Sequence, residues 1–423
     1  MKKILAIALA CVLCMSFVAA CAGGGSGSGG GEITLVNNKV EIHGALERFA
    51  DKYFDETGVR VHIQSYGGET PYAPALSALF AGGQEPELFV FEGIAGYEDA
   101  RNADRVYNLN GQAWVADTDL AYISPTDGSV AGFPVAIEGW GLGYNVRILQ
   151  EAGVDPSSMT SIAGMKAAFE AVDAKRAELG LEAVISMTAG AGMEWVTGLH
   201  GVNAYLSLGL AYNDTSVIDK LNNGEVDRAR LDAFAAYYDL VFQHSNQSTL
   251  LTGGYDQQLA DFSLEKTAFI HQGNWVDPTF DELGVSFEMG YVPHAFLSET
   301  TDGIFVGAPS WYLVNARADE DNIKLALDFL NYLASSPEGH SYMVEDAGMV
   351  PAFKSVTLKP EGPLSKAVQE WSAAGKIYAW HQNEMPSGFG MGTLGPIFFN
   401  MANGDLTPAQ FADAFAEAVA TIG

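Results

Sequence analysis

Apolar residues along this chain switch repeatedly between a strand period and a helix period. Ile33, Leu35 and Val36 mark a short strand, and Ala45, Leu46, Phe49, Ala50, Tyr53 and Phe54 then recur at helical spacing as far as Gly58. Val59, Val61 and Ile63 alternate as a strand does, Pro74 to Phe80 returns to the helical period, and Leu88-Phe89-Val90-Phe91 is a compact apolar run that reads as a buried strand. Strands alternating with helices in this order predict a parallel α/β arrangement. Phe133 to Asn145 reads as extended and leads into a helix near Val146. Helices are predicted over Ile162 to Leu179, Trp195 to Leu208, Leu231 to Phe242, Asn322 to Leu333 and Pro408 to Val419, the last with Thr407 as N-cap. Thr267 to Ile270, Glu288 to Val292 and Tyr312 to Val314 read as further strands.

The N-terminus follows a different pattern. Met1, Lys2 and Lys3 precede an apolar stretch from Ile4 to Val18, too short to span a membrane, and Val18-Ala19-Ala20-Cys21 places small residues before a cysteine. This resembles a bacterial lipobox, which implies a signal peptide over 1–20 and lipidation of Cys21, although Val18 stands where leucine is more usual. Residues 21–31 form a glycine/serine tether with a reach of roughly 15 to 20 Å. Cys11 and Cys14 lie in the signal, so the exported body has no disulfide framework. About 390 residues remain, enough for two lobes of ordinary size.

Formal charge is −30, and removal of Lys2 and Lys3 deepens it to −32. Nucleic acid is excluded as a partner, because phosphate binding requires concentrated Lys and Arg. The same field favours a neutral or cationic ligand over an anionic one. There is no His-Glu-x-x-His, P-loop or EF-hand pattern, and the eight histidines show no ligand spacing. No cofactor, metal site or catalytic constellation is therefore predicted. The alternative from another class is a lipid-anchored glycoside hydrolase, with Glu138 and either Glu92 or Glu194 as its carboxylate pair.

Several segments, in order, resemble those of extracellular solute-binding proteins of carbohydrate ABC importers, the class that includes maltose-binding protein. They are Phe54 to Val61, Phe80 to Leu88, Phe133 to the Tyr144-Asn145 pair, Phe269 to Trp275, Leu325 to Pro337, and Gly348 to Pro351. The resemblance implies a two-lobed periplasmic-binding-protein-like α/β fold with a three-crossing hinge and an interlobe ligand cleft. Crossings are expected near Ala136 to Glu138, Tyr291 to His294 and Gly348 to Pro351. The N-terminal lobe would then comprise 32–137 and 294–348, and the C-terminal lobe 138–293 and 349–423. It further implies a monomeric receptor that passes a sugar to ABC permease subunits at the membrane.

A sugar presents hydroxyls at its edge and C–H groups on its face, so its site combines flat aromatics with oriented polar groups. Trp275 is the first candidate, with Asn274 beside it. Glu138 sits in an apolar segment where an unsatisfied carboxylate is costly, and Trp140, two residues on, shares its strand face. Loops after strands supply Asn38, within Asn37-Asn38-Lys39, together with Tyr66 and Glu92. Glu194, Trp195, Trp311, Trp380 and His381 complete the candidates. Ile94 and Ala95 occupy the place of the Asp-Arg pair of maltose-binding protein, which argues against maltodextrin as the ligand.

Overall fold

The computed structural model describes residues 30–67 and 70–422; the signal and lipidation assignments at 1–21, and most of the tether, lie outside them. Twelve strands build two mixed sheets: β1 (Glu32–Asn37), β2 (Arg60–Ser65), β3 (Leu88–Glu92), β4 (Tyr122–Ile123), β5 (Val130–Pro134), β6 (Glu138–Asn145), β7 (Ile185–Ser186), β8 (Phe269–Gly273), β9 (Met289–Val292), β10 (Ile304–Gly307), β11 (Ser310–Val314) and β12 (Ile377–Tyr378). The first sheet runs β2-β1-β3-β11-β5-β4, the second β12-β10-β6-β8-β7, with β9 also paired to β6. β1 pairs in parallel with β2 and β3, as the alternating pattern predicts, whereas β11 is antiparallel to both its neighbours.

Local chemistry accounts for the elements that frame the cleft. The helix His43–Thr57 buries Ala45, Leu46, Phe49, Ala50 and Tyr53, and stops where Gly58 adopts φ +74° and donates its N–H to the Phe54 carbonyl at 2.8 Å. In β3 every residue from Leu88 to Phe91 is buried because both faces are covered: Leu88 and Val90 join one apolar cluster, Phe89 and Phe91 another. Thr407 caps the helix Pro408–Val419 in a reciprocal box with Gln410. In β6, the glycines at 139, 141 and 143 leave one face bare, and a Cβ on Gly139 would stand 2.6 Å from Val368 of the helix Pro363–Ala373. The other face carries Glu138, Trp140, Leu142 and Tyr144.

The chain leaves the first sheet for the second between Pro134 and Glu138. Its return differs from expectation. Residues 291–294 remain in the second lobe, where β10 pairs with Trp140, Gly139 and Glu138 of β6, and the return falls between Gly307 and Ser310. The stretch 294–307 therefore belongs to the second lobe. The final departure is also later than expected. Val350 bridges Ile137, but Ala352, Phe353 and Val356 still pack in the first lobe's core, and the Lys354 N–H donates to the Asp117 carbonyl at 2.8 Å. Two predicted helices are broken: Ile162–Ala174 ends before a separate turn at Arg176–Leu179, and Val196–Gly201 forms a π-helical turn ahead of Val202–Ser207. That wide turn admits the backbone of a second one, Phe389–Leu394, so closely that a Cβ on Gly198 would lie 2.2 Å from the Gly390 carbonyl oxygen.

Candidate functional site

Three tryptophans from distant segments surround one histidine in the second lobe. Ring centroids of Trp195, Trp275 and Trp380 lie 5.3, 5.1 and 5.6 Å from that of His200, with Trp275 6.4 Å from Trp195 and 6.3 Å from Trp380. Trp275 follows β8, and its ring folds back over Gly273, where a Cβ would meet it at 2.0 Å. Its indole N–H donates to Gln272 Oε1 at 2.9 Å, and Gln272 donates in turn to Gln258 Oε1 at 2.8 Å. The ring is thus fixed by a buried amide relay while part of its surface stays open.

Trp275 lines a cavity between the lobes at the hinge. Lys39, Glu41 and Met349 face it from the first lobe, Glu138 and Asn274 from the second. Lys39 and Glu138 form an ion pair across the lobes, with side chains 9% and 8% exposed. Glu41 lies 3.8 Å from the same ammonium. Burial opposes the charge on Lys39, but Glu138, then Glu41 and Glu92, outweigh it and hold its pKa above the ordinary lysine value. Burial pushes the Glu41 carboxyl up against the pull of Lys39. Glu92, at the end of β3, accepts from Asn38 Nδ2 at 2.7 Å. Its side chain is reached by solvent, yet the surrounding protein desolvates the carboxyl enough to push it up to about 6. Asn274 links the lobes' junction, accepting from the Gly139 N–H at 2.8 Å and donating to Ser365 Oγ at 3.2 Å.

Trp140 requires correction. It has no exposed surface and lies stacked between Phe305 at 4.3 Å and His200 at 5.3 Å, in the second lobe's core. It shares a strand face with Glu138 as expected, but His200 and His294 cover its ring, so Trp140 supports the site from behind. Trp311 and Tyr66 join a separate first-lobe cluster, where Trp311 stacks on Phe91 at 5.6 Å and donates to the Leu120 carbonyl at 2.7 Å. Tyr66 donates to Gln64 Oε1 at 3.2 Å. Glu194 accepts from the Gly192 N–H at 2.9 Å in the turn before Trp195, and His381 meets Glu384 at 2.7 Å beside Trp380. Sequence reasoning passed over Glu41 and His200, and gave Lys39 no role of its own. Only Lys39 carried a signal, as a lysine at the end of a buried strand in a chain with 22 basic residues.

The lobes also meet away from the hinge. Helix Gly93–Asn102 of the first lobe abuts the turn His381–Glu384 of the second. Gly93 has φ +59°, and a Cβ there would lie 2.3 Å from the Asn383 carbonyl oxygen. Gly93→Ala is therefore expected to wedge this contact apart and weaken ligand affinity by about tenfold, which calorimetry would register alongside a modest fall in thermal midpoint from the strain of a Cβ at positive φ. Among the described residues, no three His, Cys, Asp or Glu side chains converge as metal ligands, and no helix is long and apolar enough to cross a membrane.

The family model described as bacterial extracellular solute-binding protein matches residues 48–376. No curated protein matches the sequence. Among solved structures, a chitin oligosaccharide binding protein aligns with TM-score 0.74 at 19% identity, over 92% of this chain and 98% of its own. A sugar transporter protein from Bacillus licheniformis, in complex with stachyose, aligns at TM-score 0.72 and 18% identity over 93% and 100%. The solute-binding protein RafE, in complex with raffinose, gives TM-score 0.74 at 14% identity over 92% and 99%. At these identities the shared property is the two-lobed α/β fold.

Proposed function

Because the chain belongs to the bacterial extracellular solute-binding protein family, we propose that it captures a sugar or short oligosaccharide between its lobes and delivers it to the permease of an ABC importer. The observation that carries the sugar is Trp275, which lines a cavity whose polar groups come from both lobes and on which Trp195 and Trp380 converge from behind. Flat aromatic surface next to carboxylates and amides matches a pyranose, with its C–H face and its ring of hydroxyls. The stachyose and raffinose complexes of proteins with the same fold support the same class. Contacts from both lobes are required by the mechanism, since a ligand shifts an open/closed balance only through its differential affinity for the two states. Lys39 and Glu41 on one side, Glu138 and Trp275 on the other, meet that requirement. Lipidation at Cys21 belongs to this proposal, and rests on the sequence pattern alone.

The test is a titration of the exported chain with neutral mono- and oligosaccharides, read by tryptophan fluorescence and thermal shift, with the sugar recovered afterwards. A saturable signal with intact sugar is expected, and Trp275→Ala should weaken binding by about 2 kcal/mol, some thirtyfold. Release of cleaved sugar, or affinity indifferent to Trp275, would remove this function.

A further inference from the structure

The turn that carries Trp275 also lies against two of the chain's crossings between lobes. Asn274 accepts the N–H of Gly139, just past the first crossing, at 2.8 Å. Pro278 packs on Gly348, where a Cβ would lie 3.4 Å from its ring, two residues before Val350 bridges Ile137 at the last crossing. Between them Asp277 caps the second-lobe helix Pro363–Ala373, its carboxylate accepting from the Leu364 and Ser365 N–H groups at 3.2 and 2.7 Å. A Cβ on Gly362 would stand 2.3 Å from that carboxylate, so the helix starts on a residue without a side chain and is capped from another segment.

This outside cap releases the Ser365 hydroxyl, since a serine in the first turn of a helix otherwise tends to serve its own backbone. Ser365 Oγ accepts from Asn274 Nδ2 at 3.2 Å and gives its single proton to the Gly348 carbonyl, also at 3.2 Å. Ser365 and Asn274 are more than nine-tenths buried. Gly348 sits between Ala347 and Met349, which pack in the first lobe's core, whereas Leu364 and Val368 on either side of Ser365 pack in the second lobe's. The Ser365–Gly348 bond therefore spans the lobes, and one amide separates it from Trp275.

We propose that Ser365 is a positioning residue that couples the Trp275 platform to lobe closure. A sugar stacked on Trp275 steadies the turn, the turn fixes the Asn274 amide, and the amide holds the Ser365 hydroxyl on the Gly348 carbonyl. Gly348, at φ +62°, is free of the Cβ that would resist rotation there, so the direction of its carbonyl follows the hinge angle. The bond is made with the lobes together and lost as they part, which adds to the difference in ligand affinity between the two states. The inference rests on the sugar-binding reading and adds how occupancy of that site reaches the hinge.

Ser365→Ala tests the coupling, because it deletes the hydroxyl and leaves both N–H groups on Asp277. Calorimetry of the full chain against neutral sugars, including raffinose, stachyose and chitin oligosaccharides, should show about tenfold weaker binding. Small-angle scattering should show less contraction at saturation. The readout that a merely structural role would not move is a double-substitution cycle, in which the thirtyfold loss of Trp275→Ala shrinks to about fivefold once residue 365 is alanine. Ser365→Cys, similar in volume and a far weaker donor, repeats the cycle if the alanine variant folds poorly. Losses that simply multiply, with full contraction retained, overturn the proposal and leave the receptor function standing. Silence of the unaltered chain towards every sugar removes the sugar-binding reading, and the coupling with it.

Discussion

Lys39→Met is expected to free the two lobes from each other. The substitution keeps the stem of the side chain and deletes the ammonium, leaving Glu138 and Glu41 without their counter-charge in a site that is more than nine-tenths closed to solvent. Removing one partner of a buried ion pair costs about 3 to 5 kcal/mol. These carboxylates have a cheaper route than unfolding, because parting the lobes hydrates them. The cost should therefore appear as a population shift of two or more decades toward an open form, seen as a larger radius of gyration by small-angle scattering. Glu138→Gln should do less, since Glu41 remains 3.8 Å from the ammonium. If Lys39→Met instead lowers the thermal midpoint by many degrees without expansion, the pair is part of the core and does not act as an interlobe tie.

Acid should destabilise the second lobe steeply once the pH falls below about 4.5. His200, His271 and His294 lie 5.3, 5.1 and 5.1 Å from Trp140, and the His271 and His294 rings are 4.7 Å apart. Burial depresses all three pKa values. His271 is brought to about 3, the charge of His271 adds to the effect on His200 and His294, and Lys39 acts further on His200. Tyr237, whose hydroxyl lies 2.9 Å from His294 Nδ1, offers no compensating anion, because burial raises its own pKa. The folded form thus keeps these histidines neutral while the unfolded chain protonates below about 6.5. Their contribution is complete above that pH and is lost as the pH falls, at about 1.4 kcal/mol per unit for each histidine.

Carboxylates with raised pKa values act in the opposite sense. Asp277 and Glu92, pushed up mainly by burial to about 6, and Glu41, also raised by burial, take up protons in the folded form before they do in the unfolded chain. Asp277 and Glu92 offset the histidines between about pH 6 and 4.5 and are exhausted below it, and Glu41 acts in the same direction. Urea unfolding followed by tryptophan fluorescence should show a shallow decline to about pH 4.5 and a steep one beyond. In His271→Gln the steep limb should lose about 1.4 kcal/mol per pH unit of its slope. An unchanged slope would mean that His271 is already protonated in the fold.

How much of this was legible depended on whether the deciding partner was near in sequence. Leu88 to Phe91 announces itself because burial on both faces leaves no polar position, and Thr407 with Gln410 closes its box within one turn. Trp275 reads correctly as the end of a buried strand. Trp140 does not, because periodicity tells which face of β6 it occupies but not that His200, His294 and Phe305 are layered upon it from segments far along the chain. The run Ile304 to Gly307 is four apolar residues with no period to read, so the second crossing was placed 15 residues or so too early. The role of Lys39 depends on a carboxylate 99 positions away. No local pattern encodes such a pair. The π-helical turn at Val196–Gly201 was hidden too, since its apolar spacing matches an ordinary helix and only the approach of Gly390 to Gly198 demands the wider one.

The place of β11 in the first sheet governs how the molecule can be assembled. β2, β1 and β3 form one half of that sheet and β5 with β4 the other, and Ser310–Val314 is the strand that joins them. During synthesis the two halves emerge early, each with a raw edge at β3 or β5, and the strand that seals both arrives only after the whole first passage through the second lobe. Unsealed edges are templates for pairing with another chain, and contacts this distant in sequence form slowly. The first sheet thus stays open until Ser310–Val314 has emerged, which leaves any product truncated before that strand prone to association.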